Sequence, residues 1–375
     1  MKKLGIYIHI PFCLSRCVYC DFVSSVMGQQ DVDKYIEHLT KEIKMVASQI
    51  KYHYLVDTVY IGGGTPSTLT PRQLGSIVLA IRKNFKTDIQ EFTIEANPCN
   101  VDDKKLLAYK RAGVTRISFG VQTFNDDILK AIDRRHTASQ AKEAIQLAQS
   151  HGLRVSIDSM LGLCGQTMQD IDDFVAVVKE LNIRHVSSYM LKVEPNTKLA
   201  KMVDEGSVAL PDDDTTCDMY DRMWQELEKC GLHRYEVSNF AVEGEESLHN
   251  LRYWNAQEYV GFGLSAHSLL GNRRLYNPSS FDKYYDYIDQ DKLALTLESK
   301  LSLDDMKNER IMLSLRTTKG LDIECFNDDF DMDFLRDYKD RLDKVADYIQ
   351  VADNHLSIKP KYMGVMNSII IELVD

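Results

Sequence analysis

Residues 7–22 read YIHIPFCLSRCVYCDF, a β-rich apolar run that leads directly into three cysteines. Three thiolates so close in sequence can reach three corners of one 4Fe-4S cluster, which leaves the fourth iron without a protein ligand. Such an open iron suits a small molecule that chelates the cluster and receives an electron. Apolar neighbours such as Phe12 would exclude water and help to set the reduction potential. The spacing therefore predicts a 4Fe-4S cluster on Cys13, Cys17 and Cys20.

Other uses of these thiols are possible. A zinc site would take His9 or Cys99 as a fourth ligand, but structural zinc sites usually present paired C-x-x-C knuckles, and the chain has one uneven triplet. A disulfide scaffold would be shorter and denser in cysteine. The other five cysteines are scattered, at Cys99, Cys164, Cys217, Cys230 and Cys325. The pattern favours the cluster over zinc, and zinc over unligated thiols.

The composition is that of a soluble globular protein. Of 375 residues, 44% are apolar and 27% are charged, and the net charge is −11. Such an acidic chain repels phosphate backbones and anionic lipid, which argues against a nucleic-acid partner. No apolar run approaches the ~18 residues of a membrane span, and the start, MKKLGIYIHIPFC, does not read as a signal peptide. We expect a cytoplasmic protein with no transmembrane segment.

The first two-thirds of the chain alternates strand-like and helix-like runs. The start of one helix is predicted by its capping residues, with Thr70 as N-cap, Pro71 at the first helical position and Gln73 completing a capping box. Six β-then-α units in a row predict a parallel sheet with helices packed outside it. The units could curl into a partial barrel or form an open doubly wound sheet, and the pattern alone does not choose between them. The predicted strands are Gly5–Ile10, Asp57–Gly62, Glu91–Glu95, Arg116–Val121, Arg154–Met160 and His185–Leu191.

The pattern changes after Leu232. A strand-like RYEVSNFA and an acidic loop lead into the dense stretch HNLRYWNAQEYVGFGLSAHSLL. From about Asp304 the chain reads as two or three helices, a hairpin at Tyr348–Ile358 with its turn at Asp353-Asn354, and a final amphipathic segment. This mixture is typical of a small α+β domain of the winged-helix kind. We predict a barrel over 1–232, a connecting region over 233–290 and a C-terminal domain over 291–375.

The cysteine segment resembles the cluster loop of radical S-adenosylmethionine (SAM) proteins, in the branch of the coproporphyrinogen III dehydrogenases. The segments GGGTPSTL, IEANP, GVQTFNDDILKAIDRRH, IDSMLGL, HNLRYW and GFGLSAHS match that family in the expected order. The resemblance implies a partial (β/α)6 barrel in which SAM chelates the open iron and is cleaved reductively to a 5'-deoxyadenosyl radical. It therefore selects the barrel among the folds left open above.

The resemblance also implies a SAM site on the strand ends. Carboxylate, amide and guanidinium groups there can satisfy the hydroxyl, ammonium and carboxylate groups of SAM, and glycines let the backbone approach it closely. One departure is Cys164, which stands in GLCGQT where the family generally has proline. The residues carried over as cofactor-binding are Tyr7, Tyr19, Gly63, Gly64, Thr65, Glu95, Gln122, Arg134 and Asp158.

Two branches of the family fit the chain differently. The dehydrogenases carry a further cysteine two residues after the third cluster cysteine, where this chain has Phe22, and an N-terminal extension before the position of Tyr7. These features disfavour oxidative decarboxylation of coproporphyrinogen III, which is the alternative function in porphyrin metabolism. The haem-chaperone branch shares C-x-x-x-C-x-x-C-D-F and the HNLRYW element, and it implies haem and haem-accepting apoproteins, such as respiratory enzymes, as partners.

The HNLRYW element offers groups that suit haem. An imidazole such as His249 is a common axial ligand of haem iron, aromatic rings pack against a porphyrin, and Arg252 can pair with a propionate. The alternative is that His249 is a hydrogen-bonded structural residue. Because the whole hexapeptide matches the haem-chaperone branch, we predict His249 as the haem ligand, with His267 or a cysteine as other candidates. No C-x-x-C-H element indicates covalent attachment.

Overall fold

The βα repeat predicted from the sequence is present. The computed structural model describes residues 1–26 and 29–374. The six parallel strands β1–β6 are Lys2–Ile10, Tyr54–Gly63, Lys86–Ala96, Arg116–Gln122, Arg154–Leu161 and His185–Met190. The helices α1–α8 are Gln29–Ile50, Pro71–Asn84, Asp103–Ala112, Asp126–Ala131, Ala138–Ser150, Met168–Glu180, Lys198–Asp204 and Asp213–Lys229. Helix α2 begins as predicted, since the Thr70 side chain accepts from Gln73 N–H and Gln73 completes the capping box.

The parallel strands are neighbours in their chain order, and both edges of the sheet are extended. Beyond β6, the short strands β7 (His233–Arg234) and β8 (Asn239–Ala241) add antiparallel to the sheet. After α9 (Leu248–Trp254), strand β9 (Tyr259–Phe262) pairs parallel to β1. The strands β10 (His267–Leu270), β11 (Arg273–Tyr276) and β12 (Thr296–Lys300) continue outward, with α10 (Phe281–Asp289) between β11 and β12. The six βα units therefore form the predicted partial barrel.

The predicted strand RYEVSNFA is interrupted. Residues 235–238 form a loop between β7 and β8, and Tyr235 N–H donates across it to the Asn239 carbonyl (3.1 Å). The backbone of this loop has partners in a distant segment, since the Tyr235 carbonyl accepts from Thr318 N–H (3.0 Å) and Glu236 forms a β-bridge with Thr317. The alternation of apolar and polar residues does not reveal these distant pairings.

The C-terminal segment has a hydrophobic core of its own, formed by side chains between Ile311 and Leu373. A three-stranded antiparallel sheet, in which His355–Ile358 lies between Leu321–Asp322 and Ile349–Ala352, packs with helices, as expected for a winged-helix-like unit. The predicted hairpin is present, with Asp353 and Asn354 both at positive φ (49° and 61°), as a tight two-residue hairpin turn requires. The elements are α11 (Leu303–Ser314), β13 (Leu321–Asp322), α12 (Ile323–Phe330), α13 (Phe334–Asp337), α14 (Lys339–Lys344), β14 (Ile349–Ala352), β15 (His355–Ile358) and α15 (Met366–Ile371).

The three predicted domain ranges stay predictions. Residues 27–28 and 375, which fall within the first and third ranges, lie outside the described residues. The final amphipathic segment, predicted over Met363–Leu373, divides into a 3-10 turn at Pro360–Val365 and the helix α15. Within residues 1–26 and 29–374, no helix is long and apolar enough to cross a membrane.

A buried carboxylate joins α1 to the region around β9 and β10. Glu42 is fully buried and accepts hydrogen bonds from Gly263 N–H (2.8 Å), the Asn277 amide (2.6 Å) and the Tyr284 hydroxyl (2.7 Å). Burial raises the pKa of Glu42 to about 7, and these three donors oppose that shift. The carboxylate therefore satisfies donors from segments that are more than 200 residues away in the sequence.

Replacing Glu42 with alanine is expected to lower the free energy of unfolding by about 3 kcal/mol, because three buried donors lose their acceptor. Urea unfolding followed by circular dichroism measures the change. The matched control is Glu37→Ala on the exposed face of the same helix, which should change stability by less than about 0.5 kcal/mol. Equal effects of the two substitutions would show that the network does not stabilise the fold.

Candidate functional site

A cavity of about 320 Å³ opens where the parallel strands end. The cysteine loop forms one side, and the ends and inner faces of the strands form the others. In barrels of parallel strands, this end carries the ligand-binding loops. Eleven of the thirteen site residues predicted from the sequence line the cavity, namely Cys13, Cys17, Tyr19, Cys20, Gly63, Gly64, Thr65, Glu95, Gln122, Arg134 and Asp158.

The three cysteines share one electrostatic environment. Cys13 is buried and accepts a hydrogen bond from the Thr65 hydroxyl (3.4 Å), while Cys17 accepts one from Arg134 Nη1 (3.4 Å). Burial raises the pKa of the Cys20 thiol, and the thiolates of Cys17 and Cys13 raise it further, since like charges repel. Cationic or polar donors thus face two of the three sulfur atoms, as expected around an anionic iron-sulfur centre.

The two candidate fourth ligands of the zinc alternative have other partners. Both ring nitrogens of His9 are engaged, Nδ1 with the Tyr7 hydroxyl (3.1 Å) and Nε2 with the Val23 carbonyl (2.8 Å). Cys99 is exposed and its thiol donates to Asn100 (3.3 Å). Among the residues that the structure describes, no three His, Cys, Asp or Glu side chains converge as a site for a single metal ion.

The glycine loop after β2 passes very close to the cysteine loop. Gly63 has a positive φ of 111°, and a Cβ there would lie 2.6 Å from the His9 ring. A Cβ at Gly64 would lie 3.0 Å from Cys13 Sγ and 2.9 Å from the Phe12 carbonyl oxygen. Side chains at these positions would clash, so the glycines allow two loops to meet at the cavity wall.

Two carboxylates in the cavity wall, Glu95 on β3 and Asp158 on β5, are close enough for their charges to interact. Glu95 accepts hydrogen bonds from the Tyr60 hydroxyl (2.9 Å) and Gly63 N–H (3.0 Å). Burial raises the pKa of Glu95 to about 7, and the charge of Asp158 adds to the rise. Burial likewise raises the pKa of Asp158 to about 6, although Ser187, Arg134 and Ser118 oppose that shift. A cationic ligand between these groups would relieve their repulsion and stabilise both anions.

Polar atoms without partners indicate where a ligand fits. Within the described part of the chain, Arg134 Nε and Gln122 Oε1 are buried and make no hydrogen bond. Arg134 is held in place by donating to the Gly120 carbonyl and to Cys17 Sγ, and Gln122 has a positive φ of 70°. Buried polar groups are normally paired, so a polar ligand with both donors and acceptors matches this wall. SAM has such groups, and the residues present therefore fit it.

Several lining residues escaped the sequence analysis. Tyr60 holds Glu95, and Ser118 and Ser187 contact Asp158. Ser118 and Ser187 occupy alternate strand positions, in the series 93/95, 118/120/122, 156/158/160 and 185/187/189, all of which line the cavity. A spacing of two places side chains on one face of a strand. Polar residues at every second position of otherwise apolar strands are the sequence signal that could have identified these lining residues.

Comparisons with known proteins agree with this geometry. The model of the radical SAM superfamily matches residues 7–178, and that of the HemN C-terminal domain matches residues 301–361. The heme chaperone HemW of Bacillus subtilis is 36% identical over 323 residues, which is 85% of each chain. HemW of Escherichia coli is 38% identical over 270 residues, covering 71% of this chain and 70% of its own. The chain belongs to the HemW family.

The fold of this HemW-family chain also resembles a solved structure. Coproporphyrinogen III oxidase (HemN) from Escherichia coli, described as a radical SAM enzyme, superposes with a TM-score of 0.86 at 23% identity, covering 100% of this chain and 90% of that one. Identity at this level shows the shared fold alone. The family membership implies a 4Fe-4S cluster and SAM as cofactors, which agrees with the donor set described above.

The other two predicted site residues lie outside the cavity. Tyr7 lies behind the wall, where its hydroxyl contacts His9 and its ring stacks on Tyr60 at 6.3 Å. His249, in the HNLRYW element, is fully buried, with Nδ1 bonded to Thr58 Oγ1 (2.9 Å) and Nε2 to the Tyr253 hydroxyl (2.8 Å). Burial lowers the pKa of His249 to about 3, and the charge of Arg252 contributes.

The HNLRYW element of this HemW-family chain lies within α9, and its side chains hold that helix against β2. The buried Arg252 guanidinium forms an ion pair with Asp57, so the predicted pairing of Arg252 with a propionate is not supported by the structure. An arginine that already compensates a buried carboxylate cannot leave it without a large cost. Haem ligation by His249 stays a prediction, and its two hydrogen bonds favour the structural alternative.

His249→Ala is expected to lower the free energy of unfolding by about 3 kcal/mol, since it opens a cavity and leaves the Thr58 and Tyr253 hydroxyls without a partner. Haem affinity should change by less than about twofold, because the ring has no free nitrogen. Thermal unfolding and a haem titration of the same preparation measure the two effects. Loss of haem binding with unchanged stability would instead identify His249 as the ligand.

Proposed function

We propose that the protein binds haem and delivers it to apoproteins, on a radical SAM scaffold that carries a 4Fe-4S cluster. The observation that carries this proposal is the set of relatives named heme chaperone HemW. They come from organisms as distant as Bacillus subtilis, Mycobacterium tuberculosis and Escherichia coli, at 33–38% identity over most of the chain. The replacement of the dehydrogenases' additional cysteine by Phe22 supports the same choice.

The cofactor sites follow from the cavity. Cys13, Cys17 and Cys20 would hold three irons of the cluster, and the bound cluster supplies an electron to a molecule on its open iron. The backbone at Gly63 and Gly64 and the Thr65 side chain would take the amino-acid end of SAM. Tyr19, a half-buried ring between two of the ligands, would pack beside the adenine. Tyr7 does not line the cavity, and it would act on the SAM site indirectly, through the contact of its hydroxyl with His9.

The carboxylates and the arginine have separate tasks. Glu95 is fixed by Tyr60 and Gly63, so its remaining lone pairs are oriented before an ammonium group arrives. Asp158 and Gln122 would accept from ribose hydroxyls, which are neutral donors. Arg134 would donate its free Nε–H to the ligand while its Nη1 continues to face Cys17. The chain thus binds and orients SAM with groups that are already in place.

The proposed partners are haem-requiring proteins such as respiratory enzymes, which places the activity in porphyrin metabolism. All eight cysteines are free thiols in the structure. Because reduced thiols and iron-sulfur clusters persist in reducing compartments, we place this activity in the cytoplasm.

A transfer assay tests the proposal. Cluster-reconstituted protein loaded with one equivalent of haem is mixed anaerobically with an apo-haemoprotein, and the return of the acceptor's activity is followed. We expect transfer at a rate that depends on the acceptor concentration, and faster than from haem-loaded serum albumin. A parallel sample receives coproporphyrinogen III, SAM and a reductant. Formation of protoporphyrinogen IX without haem transfer would identify the dehydrogenase instead.

A further inference from the structure

The mouth of the cavity carries large side chains that are unusually exposed. Phe22 on the cysteine loop is 67% exposed, and Tyr189 at the end of β6 is 41% exposed, yet both line the cavity. Two further apolar side chains on the same segments are also exposed, namely Leu14 on the cysteine loop (50%) and Met190 next to Tyr189 (44%). Exposed apolar side chains at the edge of a polar cavity are a feature of ligand or partner sites.

The segments that carry these side chains are adjacent. The charge of Asp21 acts on Lys192, and Leu199 N–H donates to the Val18 carbonyl (2.8 Å). The cysteine loop therefore lies against the chain that follows β6. We call Leu14, Phe22, Tyr189 and Met190 the mouth surface.

Two guanidinium groups accompany the mouth surface. Arg16 and Arg135 both line the cavity. Arg16 uses one nitrogen, Nη2, to bind the Cys20 and Phe22 carbonyls (3.2 and 3.5 Å), and no ion pair or hydrogen bond of Arg135 occurs within the described residues. The neighbouring Asp133 is already paired with Lys198 at 2.8 Å. Within the described residues neither guanidinium forms an ion pair with a carboxylate, in a chain with a net charge of −11.

We infer that haem docks across this mouth, with its macrocycle on the mouth surface and its two propionates on Arg16 and Arg135. The inference rests on the proposed function and assigns its binding site. A flat, apolar ligand with two carboxylates matches an apolar patch beside two guanidinium groups that have no carboxylate partner among the described residues, and Arg binds carboxylates in a fixed fork. The cavity of about 320 Å³ is at the small end for ligand sites, so it suits SAM and leaves the larger macrocycle at the rim.

This position differs from the HNLRYW element. That element is buried and its charged group is paired with Asp57. The mouth surface is exposed, and the two arginines beside it have no carboxylate partner in the part of the chain that the structure describes. A rim site would also place the cargo beside the cluster and at the surface, where an acceptor protein can reach it without any part of the barrel unfolding.

Charge reversal tests the proposal. The double variant R16E/R135E is expected to bind haem at least about tenfold more weakly than the wild type, and Phe22→Asp to weaken it by a similar factor. The matched controls are Arg111→Glu and Tyr52→Asp, at exposed positions on the outside of the barrel, which should leave the affinity within about twofold. Because Arg16 and Phe22 lie in the cysteine loop, iron content is measured for every variant. Arg135→Glu and Tyr189→Ser, outside that loop, provide a second pair.

Removing the negative charges of the ligand provides a second test of the proposal. Haem dimethyl ester lacks the propionate charges and should bind the wild type about tenfold more weakly than haem does, but R16E/R135E should no longer prefer haem over its ester. The wild-type preference should also shrink with added salt. If the wild type binds haem and the variants with normal iron content bind it equally well, the mouth site is wrong. If the wild type itself fails to bind, the proposed function fails as well.

Discussion

Replacing any one of Cys13, Cys17 and Cys20 with alanine is expected to abolish the iron-sulfur absorbance near 400 nm of the reconstituted protein, and iron content should fall from about four atoms per chain to near zero. The physical reason is that a cluster already held by three ligands has no spare thiolate. Loss of one leaves two exposed irons and a labile cluster. Absorbance, iron analysis and electron paramagnetic resonance of the reduced protein measure the effect.

The matched controls are Cys99→Ser and Cys164→Ser. Cys99 is exposed and its thiol donates a hydrogen bond to Asn100. Cys164 stands in a loop position where the family generally has proline. Both variants should retain full iron content. Stoichiometric zinc in place of iron, or iron loss on replacing Cys99, would contradict the assignment of the cluster to the three clustered cysteines.

Glu95→Gln is expected to weaken SAM binding by roughly 30- to 100-fold, because a charge-assisted hydrogen bond to the ligand's ammonium group is worth about 2–3 kcal/mol. Glutamine keeps the shape of the side chain and one oxygen for Tyr60 or Gly63, while its NH2 group can only donate. The substitution therefore removes the charge together with one of the two accepted hydrogen bonds. Isothermal titration of anaerobic, cluster-reconstituted protein measures the affinity. The exposed Glu205→Gln is the control and should bind SAM normally.

The same carboxylate predicts a pH dependence. Burial raises the pKa of Glu95 to about 7, so the group is mostly protonated below that pH and carries its charge above it. A cationic group binds the ionised form, and SAM affinity should therefore rise as the pH increases from about 6 to about 8. Glu95→Gln should lose this part of the pH dependence. An identical pH profile in the variant would mean that another group controls binding.

The parts of the site that follow one another in the sequence could be predicted. The cysteine triplet, the Gly63-Gly64 turn and the capping of α2 depend on local chemistry, and their spacing is visible in the chain. The six βα units predicted a parallel sheet, but the choice of a partial barrel came from the resemblance. Local patterns do not say whether a sheet curls.

Pairings between distant residues could not be predicted. The sequence around Arg252 does not show that Asp57, 195 residues away, forms an ion pair with it. It likewise does not show that Thr58 forms a hydrogen bond with one ring nitrogen of His249. Glu42 likewise looks like any helix glutamate until Gly263, Asn277 and Tyr284 surround it. Haem ligation was predicted at HNLRYW because the hexapeptide matches the haem-chaperone branch and its residue types suit haem, whereas burial and existing partners decide whether a group is free. Exposure, which the sequence does not show, directs attention to Phe22 and Arg135 instead.

The most direct test of the account is an anaerobic titration of cluster-reconstituted protein with haem, followed by the Soret absorbance. The account predicts saturable binding with about one haem per chain, accompanied by a shifted Soret band, and occurring with or without SAM present. A linear, unsaturable increase with the spectrum of free haem would contradict the assignment of this protein as a haem carrier.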